Sequence, residues 1–314
     1  MPNDREAGNA EGRGPRGEAF GAGEAVLAGR PVARIGFGAM QLPGRGVWGP
    51  PKNREGALAV LRKAVDLGVN HVDTAQFYGD GIANELIRSA LHPYPEELVL
   101  VSKVGAARDA SGSWHPAQRP EQLRAGVEAN LRSLAVERLD VVNLRLTDDR
   151  SGHGLSAEQR VDLDDQLAEM VALRDEGLIA GIGLSNVGVE ELRRALPLGV
   201  ACVQNAYSVL DRSAEPVLEL CRESGVAWVP FFPLGSAFPN VPKVTQHPVV
   251  VEAAARLEST PAQIGLAWLL AHDPGTLLIP EENVMPDEIW HEHVGGAEAS
   301  REAVDADEGP EAGQ

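Results

Sequence analysis

Three ionisable side chains, Asp73, Tyr78 and Lys103, stand at or just after the ends of two consecutive apolar runs of the sequence. Asp73 lies in NHVDTA (70–75), Tyr78 follows it in HVDTAQFYG (71–79), and Lys103 lies near the end of ELVLVSKV (97–104). Taken singly, each has an ordinary structural explanation as a cap, a packed ring or a solvated cation. The carboxyl ends of adjacent parallel strands lie at one edge, so we expect the three to meet there.

Together these groups would make a general acid. A free tyrosine has a pKa of ~10, too high for it to donate a proton readily near neutrality. A neighbouring ammonium stabilises the phenolate and lowers that pKa, and a carboxylate beside the ammonium holds it charged and oriented. We therefore predict a lowered pKa for Tyr78 and proton donation to a carbonyl oxygen during hydride reduction.

The elements that must position these residues repeat along the chain. Eight strand-like apolar runs alternate with helical stripes, with a repeat of about 31 residues that matches a barrel of ~250 residues. This pattern predicts an α/β fold, a TIM-type (β/α)8 barrel. A doubly wound sheet is the rival, but the Gly-x-Gly-x-x-Gly fingerprint is missing. The predicted strands cover residues 35–40, 70–75, 97–104, 139–146, 179–186, 200–207, 226–232 and 276–280.

Composition divides the chain into three parts. Residues 1–30 hold seven glycines and few large apolar residues, which predicts a flexible N-terminal arm. Residues 31–280 carry the barrel pattern. Residues 281–314 contain 11 acidic residues and one basic residue, a charge of −10 out of −18 for the chain, and predict a disordered acidic tail.

The same composition excludes several classes of partner. A net charge of −18 argues against nucleic acid, which requires clustered Lys and Arg. No apolar run reaches 18 residues and the N-terminus lacks an apolar signal region, so we expect neither a membrane span nor secretion. Cys202 and Cys221 fall in apolar segments and are expected to be reduced core thiols of a cytoplasmic protein.

Residues 32–280 resemble the aldo-keto reductase family throughout. The runs that carry the resemblance, besides HVDTAQFYG and VSKVG, are RDEGLIAGIGLSNV, VQNAYS, VPFFPLG and TPAQIGLAWLL. Within the family the chain is most similar to the bacterial pyridoxal reductase (pyridoxine 4-dehydrogenase) type, on the strength of GFGAMQL, WGPP, LDVVNLR and VPFFPLG. The resemblance implies that Asp73, Tyr78 and Lys103 occupy three places of the family's catalytic tetrad.

The resemblance also implies a bound nicotinamide cofactor, NADP(H), with NAD(H) as the alternative. Amide and hydroxyl groups at the ends of the fifth and sixth strands would hold the carboxamide, an aromatic ring would stack on the nicotinamide, and the following loop would cross the pyrophosphate. The residues at those places are Ser185, Asn186, Gln204, Phe231, Leu234 and Gly235.

The chain departs from the family pattern in two places. Arg145 stands where the fourth tetrad residue is usually His. Arginine stays charged at every working pH, and we expect Arg145 to bind the carbonyl oxygen or a nearby substrate hydroxyl. The alternative is an ion pair with Asp73 or Asp148. After Pro280 the family's phosphate-binding loop is missing, although Glu281-Glu282-Asn283 resembles the start of the next helix. Asn283 is therefore retained as a cofactor contact, while the usual closing helix and a strong preference for NADPH are not expected.

The predicted function is hydride transfer from NAD(P)H to a small aldehyde or ketone, with pyridoxal as a candidate. One alternative is a catalytically impaired barrel that binds cofactor as a redox-sensing or regulatory protein, and another is a chain that does not fold stably. The expected partners are a small carbonyl substrate and neither nucleic acid nor membrane, with the chain as a monomer or weak oligomer.

Overall fold

The computed structural model describes residues 22–147, 156, 160–235 and 241–280, in which strands alternate with helices. The strands are β1 (Glu24–Leu27), β2 (Arg30–Ala33), β3 (Phe37–Gly38), β4 (His71–Asp73), β5 (Val99–Arg108), β6 (Trp114–Ala117), β7 (Leu139–Arg145), β8 (Ile179–Ser185), β9 (Val200–Gln204) and β10 (Ala227–Trp228). The helices are α1 (Arg54–Asp66), α2 (Ile82–Leu91), α3 (Pro120–Leu134), α4 (Leu163–Asp175), α5 (Val189–Ala195), α6 (Glu215–Ser224), α7 (Pro248–Arg256) and α8 (Pro261–His272). None of these helices has the length and apolar character that a membrane span requires.

The parallel strands form one curled sheet, in the order β3-β4-β5-β7-β8-β9-β10. Residues 276–280 lie between its two edges and complete the ring. Thr276 pairs with Trp228 on one side, and Leu278 pairs with Ile35 on the other. The Gly36 amide donates to the Leu278 carbonyl at 2.8 Å, and the Leu278 amide donates to the Arg34 carbonyl at 2.7 Å. The predicted (β/α)8 barrel is confirmed, with its eighth strand reduced to this short bridging segment.

Apart from α7, the described helices form in the segments that carry helical stripes. Helix α1 begins after Asn53, whose side chain accepts from the Gly56 amide at 2.9 Å, and its residues Leu58 and Leu61 are buried. Helix α8 begins after its N-cap, Thr260. The threonine and the glutamine three residues later cap each other reciprocally, which satisfies two amides that the first helical turn leaves unpaired.

A β-hairpin closes the N-terminal end of the barrel, and it corrects the sequence prediction. Strand β1 pairs antiparallel with β2, so the prediction of a flexible arm over residues 1–30 is wrong for residues 24–30. The turn residues Ala28 and Gly29 both have positive φ, as a tight two-residue hairpin turn requires, and no Asn-Gly or Asp-Gly pair announces it. Leu27 and Val32 are buried in the apolar cluster that fills the barrel. Residues 1–21 lie outside the described residues.

Two further elements, β6 and α7, lie where the sequence pattern predicted only connections. Strand β6 pairs antiparallel with the far end of β5 and forms a hairpin that extends beyond the barrel. Helix α7 begins at Pro248 in a stretch rich in valine, a β-branched residue with low helix propensity, which is why the pattern did not indicate a helix. The predicted acidic tail at 281–314, and the predicted lack of a closing helix within it, lie outside the described residues.

His71 is a titratable group inside the barrel, at the start of β4. Its side chain is 1% exposed, and its ring lies against Gly36, where a Cβ atom would fall 2.2 Å from Nε2. Burial lowers the pKa of His71 to about 4, against a smaller upward effect from the Ala33 backbone. The imidazole is therefore neutral in the folded protein at neutral pH.

This burial makes stability depend on pH. The unfolded chain takes up a proton at His71 near pH 6.5, whereas the folded chain does so only near pH 4, so stability falls as pH drops through this window. We expect His71 to account for a loss of about 2 kcal/mol in the free energy of unfolding between pH 7 and pH 5. Urea unfolding of His71→Gln at both pH values should lack this loss. His92→Gln, at an exposed histidine, controls for the substitution itself. An equal pH dependence in His71→Gln and the parent would contradict the assignment.

Candidate active site

The barrel brings the four predicted catalytic residues together at its C-terminal mouth. Asp73 ends β4, Lys103 lies on β5 and Arg145 ends β7, on three neighbouring strands of the sheet. Tyr78 lies five residues beyond Asp73, in the loop that leads to α2. Alternate residues of each strand point into the barrel. This alternation and the sheet order therefore fix the relative positions of the charged groups.

Asp73 and Lys103 form a buried salt bridge, with side chains that are 3% and 4% exposed. The Lys103 ammonium also donates to the Thr74 carbonyl at 3.2 Å, and the Gln204 amide donates to the second carboxylate oxygen of Asp73 at 2.7 Å. Burial alone would lower the pKa of Lys103, but Asp73 and the Tyr78 oxygen raise it above its ordinary value. The amine is therefore held as a cation.

Tyr78 lies beside this cation and is itself buried. The Lys103 nitrogen is 5.1 Å from the centre of the tyrosine ring. Burial is the largest influence and raises the pKa of Tyr78, while Lys103 and Arg145 lower it by less. The prediction of a lowered pKa is therefore wrong in its net direction, because desolvation outweighs the neighbouring charges. The phenol keeps its proton at neutral pH.

Arg145 is a second cation of the mouth. Its guanidinium donates to the Ser185 hydroxyl at 3.2 Å and lies 5.4 Å from the centre of the Phe231 ring. In the part of the chain that the structure describes, it forms no salt bridge with a carboxylate, since Asp73 pairs with Lys103. The alternative of an Arg145–Asp73 pair is therefore wrong, and Asp148 lies outside the described residues. Burial lowers the pKa of Arg145, and Tyr78 raises it by less.

A cavity of about 470 Å³ opens at this end of the barrel. Its polar side chains include the four predicted catalytic residues, Asp73, Tyr78, Lys103 and Arg145. The rest of the wall is mainly apolar. Such a cavity suits a small, largely apolar molecule with a polar group at one end. The bulky apolar residues of the wall are Met40, Phe77, Trp114, Leu146, Phe231, Phe232 and Ile279.

The predicted nicotinamide contacts fall on the wall or directly behind it. Asn186 and Phe231 line the cavity, while Ser185 and Gln204 are buried and hydrogen-bond to Arg145 and Asp73 of the wall. Among the described residues the buried Oε1 atom of Gln204 has no hydrogen-bond partner. A buried acceptor needs a donor, and the N–H of a carboxamide supplies one. The residues present therefore fit a nicotinamide.

The remaining predicted cofactor residues lie elsewhere. Leu234 packs on Val244 and Val250, in a small apolar cluster beside α7 and α8. Gly235 has positive φ and lies against Pro242, whose carbonyl oxygen would be 2.3 Å from an added Cβ atom. Neither lines the cavity, and Asn283 lies outside the described residues. Their contacts with the cofactor remain predictions.

Two small polar residues connect the acid groups to the surrounding helices. Thr74 follows Asp73 and donates to Asn84 on α2 at 2.8 Å; Ser102 precedes Lys103 and donates to Asn130 on α3 at 2.6 Å. Asn84 in turn donates to Asn130 at 2.9 Å. Because this network is buried, it fixes the strand ends to the helices as one unit. The sequence analysis did not identify it.

The β5–β6 hairpin supplies part of the cavity wall that the sequence analysis also missed. Trp114, His115 and Pro116 of β6 line the cavity together with Ala106 of β5. The hairpin is an insertion between a barrel strand and its helix, so the βα repeat gives no signal for it. The available signal was local, in the turn-forming sequence Asp-Ala-Ser-Gly-Ser followed by a tryptophan.

Comparisons with known proteins agree with this geometry. A family profile described as Aldo/keto reductase family matches residues 34–284. Pyridoxine 4-dehydrogenase of Escherichia coli K12 is 43% identical over 256 residues, which cover 81% of this chain and 86% of that protein. The solved glycerol dehydrogenase of Gluconobacter oxydans has a TM-score of 0.69 at 20% identity, covering 91% of this chain and 95% of its own. An aldo-keto reductase of Klebsiella pneumoniae, solved in complex with NADPH, has a TM-score of 0.65 at 24% identity, covering 88% and 91%.

Proposed function

The chain belongs to the aldo/keto reductase family, and from this premise we propose that its barrel-mouth cavity is the site at which a small aldehyde or ketone is reduced. The chain is an oxidoreductase that uses a nicotinamide cofactor and acts on small carbonyl compounds. One observation carries the assignment of the site. Asp73 and Lys103 form a buried salt bridge, the Lys103 nitrogen lies 5.1 Å from the centre of the Tyr78 ring, and all three residues line one cavity.

Tyr78 is the proposed general acid. A reduced nicotinamide, held by Ser185, Asn186 and Gln204, would supply the hydride for the carbonyl carbon. As the C=O π bond breaks, the phenol proton of Tyr78 moves to the carbonyl oxygen, and the product is an alcohol. The Lys103 ammonium stabilises the phenolate that is left behind. The raised pKa of Tyr78 suits this role, because the acid must hold its proton until the negative charge forms on the oxygen.

Asp73 acts through Lys103. A buried ammonium without a counter-ion would lose its proton, and the carboxylate prevents this while it fixes the position of the amine. Gln204 holds the second oxygen of Asp73, so the carboxylate cannot rotate away from Lys103. We therefore assign Asp73 a positioning role.

Arg145 is proposed to bind the substrate oxygen where negative charge develops. Its described partners are a neutral hydroxyl and an aromatic ring, so the buried guanidinium is not neutralised by a described carboxylate. Among the described residues of the cavity wall, Lys103 and Arg145 face one carboxylate, Asp73, and this excess positive charge favours an oxyanion or an adjacent phenoxide. Arginine also offers several donors in a fixed plane.

The cofactor is proposed to be NADP(H), with NAD(H) accepted as the alternative. Ser185, Asn186 and Gln204 would hold the carboxamide, and the Phe231 ring would lie against the nicotinamide; the unpaired Oε1 atom of Gln204 supports this placement. NADPH is the cofactor in the Klebsiella complex, whose fold the chain shares. Leu234 and Gly235 are retained as proposed contacts outside the cavity, and Asn283, which is outside the described residues, is retained as a proposed contact.

Pyridoxal is the proposed substrate, or a similar small aromatic aldehyde. The relative that is 43% identical is named for the reaction that oxidises pyridoxine at position 4. A cavity of about 470 Å³ whose wall includes five Phe, Trp and Tyr rings suits a planar aromatic substrate. No contact in the described residues and no comparison supports the alternative, a regulatory barrel without catalytic activity.

The assignment of Tyr78 is tested by removing its hydroxyl alone. We expect Tyr78→Phe to lower kcat/KM for pyridoxal by a factor of about 100 or more, because the proton donor is lost. NADPH oxidation followed at 340 nm measures the rate, and cofactor fluorescence checks that binding is retained. Tyr94→Phe is the matched control, since Tyr94 hydrogen-bonds to the Leu134 carbonyl away from the cavity. Full activity in Tyr78→Phe would exclude it as the acid.

Replacement of Arg145 tests its role toward the oxygen. We expect Arg145→Leu to lower kcat/KM by a factor of about 100, as for the loss of one donor to a developing oxyanion, and Arg145→Lys to restore part of the rate. Arg193→Leu, at an exposed arginine paired with Glu190, is the control. An unchanged kcat/KM in Arg145→Leu would dismiss the proposed contact.

Cofactor preference is tested by titrating NADPH and NADH against protein fluorescence. Residues 281–300 contain no Lys or Arg, so this stretch offers no cation to a 2′-phosphate. We therefore expect the two affinities to differ by less than about tenfold, or ~1.4 kcal/mol. Sub-micromolar NADPH affinity with strong discrimination against NADH would show that other residues recognise the phosphate.

A further inference from the structure

His115 and Asp109 form a polar pair at the rim of the cavity, on the β5–β6 hairpin. His115 lines the cavity, and its Nε2 atom is 2.8 Å from an oxygen of Asp109. Both side chains are partly exposed, at 50% and 42%. They lie outside the proposed acid and cofactor groups, and the mechanism above gives them no part.

The hairpin turn fixes the Asp109 carboxylate. Its other oxygen accepts from the Ser111 amide at 2.9 Å, from the Ser111 hydroxyl at 2.6 Å and from the Ser113 amide at 2.9 Å. A carboxylate oxygen can only accept, so Nε2 of His115 is the donor in their contact. A neutral imidazole that donates from Nε2 has its remaining acceptor at Nδ1. Asp109 therefore fixes the tautomer of the ring.

Arg108 fixes the hairpin to the loop that carries Tyr78. Its guanidinium lies 3.9 Å from the centre of the Trp114 ring and 5.5 Å from that of Trp48. It donates to the carbonyl of Phe77, next to Tyr78, at 3.3 Å and to that of Val47 at 2.6 Å. The β5–β6 hairpin that carries His115 is therefore held against the loop that carries Tyr78.

The cavity wall therefore has two polar parts. Tyr78, Lys103 and Arg145 form one and His115, at the rim, forms the other, and aromatic rings also line the wall. On the basis of the proposed function, we propose that His115, oriented by Asp109, is a specificity-determining residue that accepts a hydrogen bond from the end of the substrate opposite its carbonyl. The substrate class is then a flat aromatic aldehyde with a hydroxyl or a protonated ring nitrogen at that end. Pyridoxal fits, because its ring nitrogen lies para to its aldehyde.

The test uses two aldehydes of nearly equal size, 4-(hydroxymethyl)benzaldehyde and 4-ethylbenzaldehyde, of which only the first carries a donor. In the parent enzyme we expect a KM about fivefold lower for the hydroxymethyl compound, as for one hydrogen bond of average net strength. His115→Phe keeps an aromatic wall and should abolish this difference with little change in kcat. His115→Gln keeps an acceptor and should retain part of it. Asp109→Asn should weaken it, because the imidazole is no longer held by a carboxylate.

Each result bears on one proposal. Reduction of neither aldehyde by the parent enzyme would overturn the proposed function. Reduction of both with the difference preserved in His115→Phe would overturn the role of His115 alone, as would an equal loss for both aldehydes, which indicates packing. If His115→Phe does not fold, as judged by circular dichroism, the same comparison in His115→Gln and Asp109→Asn decides: an unchanged difference in both variants rejects the role.

Discussion

The buried pair of Asp73 and Lys103 is the interaction on which the site depends. An ammonium taken out of water keeps its proton only if a carboxylate lies beside it, and here both carboxylate oxygens are engaged, one by Lys103 and the other by Gln204. The cation then stabilises the phenolate that Tyr78 forms in the proposed reaction. If the pair were displaced, Tyr78 would be a buried phenol with a raised pKa that had lost Lys103, the larger of the two cationic influences that stabilise its phenolate.

The sequence was sufficient for the barrel and for the central residues of the site because both follow from periodicity. Apolar runs of period two and helical stripes determine which segments are strands, and the carboxyl ends of parallel strands meet at one mouth. Asp73, Tyr78 and Lys103 were therefore predicted to meet, and the structure places all three on the wall of one cavity. Arg145 was predicted from the resemblance to the family, and it lies on the neighbouring strand β7. Motifs of the family added Gln204 and Phe231, whose positions at the cavity could not be deduced from residue type.

Features that the sequence did not reveal depend on tertiary context. The β1–β2 hairpin turns at Ala28 and Gly29, residues whose types are common in flexible segments, and its order comes from burial of Leu27 and Val32 in the barrel end. The direction of the Tyr78 pKa shift depends on desolvation, which is the largest influence and raises the pKa with a smaller contribution from Asp73, against the lowering effect of Lys103 and Arg145. The neighbouring ammonium alone had predicted a lowered pKa for Tyr78, the opposite of the direction found.

The barrel closes before the chain departs from the family pattern at Pro280. Assembly of the proton donor can therefore be considered apart from recognition of the cofactor's distal phosphate. Residues 276–280 close the barrel by pairing with β10 and with residues 34–38. Asp73, Lys103 and Arg145 lie on β4, β5 and β7, and β5 pairs with both of the other strands. The hydrogen bonds of Asn84 and Asn130 connect this part of the sheet to α2 and α3. The proton donor is therefore assembled by contacts that are complete before Pro280. The departure from the family pattern after Pro280 bears on the recognition of the cofactor's distal phosphate and leaves the argument for Tyr78 intact.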